Sequence, residues 1–133
     1  METDRRALYE TTFDASTLRS ARREVDRHVF GSGLADDRAF DFVAAVIEIL
    51  SNAVRHGGGG GTVTVSRDDG HVWCVITDRG PGLPAGEWTP PPAPPPADAE
   101  SGRGLWLANA LCSYLVVRSS AAGTRVELGM TVE

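Results

Sequence analysis

The sequence contains no lysine; its thirteen basic residues are all arginine, against eighteen acidic ones, for a net charge of −5. That balance argues against sequence-independent binding of DNA or RNA, which relies on a basic surface, so no direct nucleic-acid partner is expected. Long apolar runs are also missing. None approaches the roughly 18 residues that would span a bilayer, and the opening METDRRALYETTF has no apolar core of a signal peptide. No membrane contact and a cytoplasmic location are therefore expected. Cysteine is scarce: Cys74 and Cys112 sit in apolar stretches without zinc or CxxC spacing, and read as reduced core thiols. Proline is absent outside one stretch, Arg79–Ser101, which holds all eight.

What is present fits one domain over residues 1–133, long enough to bury roughly 68% of its unfolded surface. Ala7–Phe13 reads as a strand, and Ser16 as the N-cap of a helix over about Thr17–Phe30. Gly31–Gly33 breaks that helix. A second helix is expected from about Asp37 to His56, stopped by the glycine run Gly57–Gly61. Thr62–Arg67 and His71–Thr77 alternate as strands around an Asp68-Asp69-Gly70 turn. After the proline-rich stretch come a short helix over about Gly104–Cys112 and strands over Tyr114–Ser119 and Thr124–Val132. This order predicts an α+β fold: a two-layer sandwich of a mainly antiparallel sheet with helices on one face. A loop of some twenty residues is too long to be a neutral connection, and 83–101 is expected to act as a lid.

Three short motifs carry the chemistry. On a helical wheel the second helix has an apolar arc of Phe42, Val43, Val46, Ile47, Ile49, Leu50, Ala53 and Val54. Asp41, Ala44, Ala45, Glu48, Asn52, Arg55 and His56 occupy the other arc. Glu48 and Asn52 are i, i+4 neighbours on it. Asn offers a neutral oxygen to Mg²⁺, and Glu can orient or deprotonate a hydroxyl. Arg55 and His56 lie where phosphate oxygens would arrive. The second motif, Asp78-Arg79-Gly80-Pro81-Gly82, ends an apolar strand. A carboxylate held there can accept a hydrogen bond from the exocyclic amino group of adenine, with Gly80 and Gly82 letting the backbone approach the ring. Thr124 can add a hydroxyl beside it. Third, Gly102-Arg103-Gly104-Leu105 opens a helix whose first amides can face an anion. Read singly, each motif has a plainer explanation: a solvated helix face, a turn, a cap.

In this order the motifs resemble the N box and two glycine boxes of the GHKL (Bergerat-fold) ATPases. NAVRHG, GRGLWLANAL and the terminal AGTRVELGM look like the anti-sigma factor serine/threonine kinase branch. The resemblance implies ATP and Mg²⁺ as cofactors, with Glu48 as catalytic base and Asn52 as metal ligand. It further implies Asp78 as the adenine reader, with Gly80, Gly82, Gly102, Arg103, Gly104 and Leu105 shaping the pocket, along with Arg55, His56 and Thr124. The partners it implies are a STAS-domain anti-anti-sigma protein, phosphorylated on Ser or Thr, and a sequestered alternative sigma factor, with homodimerisation also expected. Arg22 occupies the place of a partner-binding arginine. The chain departs from the pattern at Glu100 and Arg103, since some of these kinases carry a basic residue ahead of the second glycine box instead. The alternative is a nucleotide-binding module that sequesters a partner without kinase activity.

Overall fold

A computed structural model describes residues 5–80, 86–91, 93 and 103–132. Six strands form one antiparallel sheet in the order β1-β2-β3-β6-β5-β4. The strands are β1 (Arg6–Asp14), β2 (Gly60–Arg67), β3 (His71–Asp78), β4 (Gly86–Glu87), β5 (Tyr114–Ser120) and β6 (Gly123–Thr131). Helices α1 (Leu18–Phe30), α2 (Asp36–His56) and α3 (Arg103–Leu111) cover it. The expected α+β architecture is what the chain adopts. Among the described residues no helix is long and apolar enough to cross a membrane.

Period-two alternation puts one residue in two beneath the helices. Val63, Ile76, Val126 and Val117 are cross-strand partners in one row, and all four are buried. Val65, Cys74 and Leu128 form the next row inward. The opposite face carries Trp73, tilted against His71 and stacked with Tyr114. Its indole Nε1–H donates to Asp68 at 2.8 Å. Cys74 and Cys112 are free thiols, as expected. Burial pushes both upward, Cys112 to about 12, so neither is a ready nucleophile.

Helix α2 is the central helix, flanked by α1 on one side and α3 on the other. Its buried residues include Phe42, Val43, Val46, Ile49, Leu50 and Ala53, as the wheel requires. Ala45 departs from the wheel: assigned to the polar arc, it is fully buried. That arc is covered by α3, a tertiary contact that helical periodicity does not encode. Asp36 and Asp37 in its first turn, and Arg55 and His56 in its last, complement the helix dipole.

Two local expectations are corrected. Ser16 is not the cap of α1; Thr17 holds that position without a side-chain bond. The acceptor comes from Asp14, whose Oδ1 takes the amides of Ser16 and Thr17 at 2.8 and 3.1 Å. Asp14 reaches the following amides by an Asx turn, which a cap read from spacing alone overlooks. The segment from Arg79 to Ser101 is not wholly irregular either. Gly86 and Glu87 pair with Ser119 and Arg118, and the Trp88 amide donates to the Val117 carbonyl at 2.9 Å. Two residues are too few to show a period. Most of the expected lid lies outside the described residues.

Candidate functional site

The row above Val63–Ile76–Val126–Val117 on the same sheet face is Gly61–Asp78–Thr124–Ser119. In one step the helix-facing surface turns from hydrocarbon to polar. It does so where α2 stops: Gly57 closes the helix, its amide donating to the Ala53 carbonyl at 3.0 Å. A side chain on Gly57 would put its Cβ 2.5 Å from Cγ and Oδ2 of Asp78, so the carboxylate sits directly against the helix end.

Asp78 is held by backbone. The Gly80 amide donates to Oδ1 at 3.0 Å, and the Thr124 amide also bonds the carboxylate. Burial nevertheless pushes its pKa above the ordinary carboxylate value, against the lowering effect of those two amides. Keeping it ionised therefore costs stability at neutral pH, and this contribution is recovered as pH falls through the raised pKa toward the unfolded value. Thr124 is buried, its hydroxyl 3.2 Å from that of Ser119. Asp78 opens onto two clefts. One, of about 490 Å³, is lined by Thr12, Asp14, Gly58–Gly61, Thr77 and Arg79. The other, of about 270 Å³, is lined by Arg118, Ser119, Thr124 and Arg125.

The second cluster lies one to two turns back along α2. Glu48 and Asn52 are half-buried under the start of α3. A Cβ on Gly104 would meet Nδ2 of Asn52 at 2.6 Å and Cβ of Glu48 at 3.6 Å, so the start of α3 lies directly over both side chains. Oδ1 of Asn52 accepts from Nη2 of Arg55 at 3.0 Å. Asn52 and Gly57 are five residues apart, about 7–8 Å along the helix axis. Both clusters thus hang on the final turns of α2.

The structure brings together Glu48, Asn52, Arg55 and Gly104, and separately Asp78, Gly80 and Thr124. His56 is exposed on the last turn of α2, and Arg103 is exposed at the first turn of α3. Leu105 is in the core, where it anchors α3. Gly82 and Gly102 lie outside the described residues. Arg22 is turned toward α2: its Nη2 donates to Ser51 Oγ at 2.5 Å, while its buried Nε has no bond. Sequence reasoning missed Gly57, read only as a helix stop. The signal was there, because a terminator needs one glycine and this run has five.

A family model described as a histidine kinase-like ATPase domain matches residues 11–130, nearly the whole chain. No curated protein matches the sequence. Among solved structures, the chain is similar to one of the RsbU and RsbW domains of Rv1364c from Mycobacterium tuberculosis. The TM-score is 0.67 at 25% identity, covering 92% of this chain and 31% of that one. The match thus spans under a third of that longer chain. The motifs, the antiparallel sheet with its helices and the family match agree: this chain belongs to the histidine kinase-like ATPase domain family.

Proposed function

We propose that the chain is an ATP-binding regulator that phosphorylates a Ser or Thr of a STAS-domain partner and sequesters an alternative sigma factor. The observation that carries the reading is the pairing of Glu48 with Asn52 under Gly104, two turns from a carboxylate held against Gly57. The likeness to a structure containing an RsbW domain supports the regulatory branch.

Asp78 accepts the exocyclic N–H of adenine, while the Gly80 and Thr124 amides fix its carboxylate. Asn52, together with the nucleotide's phosphates, would hold the magnesium ion. The donor set fits, since Oδ1 of Asn52 already lies against a cation, the Arg55 guanidinium. When bound, the ion would supply charge neutralisation on the phosphates. Glu48 orients the substrate hydroxyl and takes its proton as the oxygen bonds to the γ-phosphorus and the bond to ADP breaks. Arg22, on α1, contributes to the partner surface beside Ser51.

The test is incubation with labelled ATP, Mg²⁺ and purified STAS proteins. Label on a Ser or Thr of one of them is expected. Bound ATP without transfer to any of them leaves a sequestering module as the reading, and no ATP binding removes the site assignment. Asp78→Asn is expected to lose the preference for ATP over GTP, because an amide can also donate to the guanine oxygen. It should also abolish the weakening of ATP binding that protonation of Asp78 causes on the acid side. Competition titrations against both nucleotides, carried from pH 8 down to the acid limit of the folded protein, check both effects; an unchanged preference removes Asp78 from the base-reading role.

A further inference from the structure

The amide of Asn52 is held from two sides. Nδ2 faces Gly104, and Oδ1 accepts from Arg55 at 3.0 Å. Of the two amide atoms only the oxygen can ligate a cation. Arg55 therefore keeps a permanent positive charge on the atom that a divalent ion needs. Its side chain is exposed on the last turn of α2, so the guanidinium can swing away without opening the core.

Resting on the reading above, we propose that Arg55 is a built-in placeholder for the divalent cation. It closes Asn52 in the nucleotide-free chain, then releases it and turns to the polyphosphate once nucleotide is bound. The physics is competition. A cation approaching Oδ1 alone meets a like charge at contact range. A polyphosphate offers Arg55 a stronger, forked partner and so removes that obstacle. Metal and nucleotide are then coupled, each improving the site for the other, and the coupling is reciprocal. An i, i+3 pair on an exposed helix would otherwise be a minor surface contact. Here its acceptor is the implied metal ligand, and its donor sits at the phosphate end of the site.

The test is a double titration of the full chain with a fluorescent ATP analogue, in EDTA and at saturating Mg²⁺. The ratio of the two dissociation constants is the coupling factor. Arg55→Ala is expected to lower that factor about two- to fivefold, because nucleotide no longer has to clear a like charge from Oδ1 before the metal can bind there. Arg55→Lys, which keeps charge but loses the fork, should fall between. The melting temperature should stay near wild type, because the side chain is exposed. An unchanged coupling factor in Arg55→Ala overturns the placeholder role and leaves the proposed function standing. A wild type that binds no nucleotide under either condition overturns that function, and this role with it.

Discussion

Glu48→Gln is expected to reduce phosphoryl transfer to a STAS partner by about 10²- to 10⁴-fold, the usual contribution of a positioned general base. ATP affinity should change by no more than about twofold, since binding depends on Asp78 and the phosphate contacts rather than on this carboxylate. Glutamine preserves length, helix propensity and the Cβ that lies beneath Gly104, so α3 should stay in place. It exchanges the charged, basic carboxylate for a neutral amide that cannot accept a proton. The measurement is single-turnover transfer of label from pre-bound ATP, alongside equilibrium binding and a thermal melt. A full rate in Glu48→Gln would falsify the base assignment. If binding and stability fell together with the rate, Glu48 would instead be a packing residue of the α2–α3 joint, a role its half-buried position also permits.

That joint separates what was legible in the sequence from what was not. Elements with a strong period were readable: the valines of β2 and β3 and the apolar arc of α2 all lie where alternation and the 3.6-residue repeat place them. The fold class followed from their order. The site was legible as a set of residues, because Glu48 and Asn52 share a helix face and Asp78 ends a strand. Its assembly was not. Ala45 is fully buried on the helix that α3 packs against, a contact between segments some fifty residues or more apart. The Asp14 turn, the two-residue strand β4 and the Gly57 contact depend on hydrogen bonds or backbone approach rather than on hydrophobic pattern. Arg22 was expected at a partner surface; that its guanidinium also reaches Ser51 was not legible, because sequence does not say which neighbour a long side chain finds.

Gly80→Ala is expected to damage both the fold and nucleotide binding. The added Cβ would lie 2.3 Å from the carbonyl carbon of Gly57, 2.4 Å from its Cα and 2.5 Å from the amide nitrogen of Gly58. All three are backbone atoms, so no rotamer relieves the overlap. The end of β3 and the C-terminus of α2 must move apart, by roughly 1 Å, for a cost of about 2–3 kcal/mol. For a chain of this size that lowers the melting temperature by roughly 10 °C. The functional loss should be larger, because the Gly80 amide that moves is the one bonded to Oδ1 of Asp78, and Asp78 in turn rests on Gly57. ATP affinity is expected to fall at least about tenfold, with the remaining binding less selective for adenine, since misplacing a charge-assisted hydrogen bond costs about 1.5–3 kcal/mol. Gly70→Ala is the control: that Cβ enters open space, at a backbone angle any residue adopts, and should leave both quantities unchanged. Calorimetric melts and ATP titrations of the two variants measure the contrast. If Gly80→Ala matched Gly70→Ala in both, the close approach of β3 to the end of α2 would not be what holds the base-reading carboxylate in place.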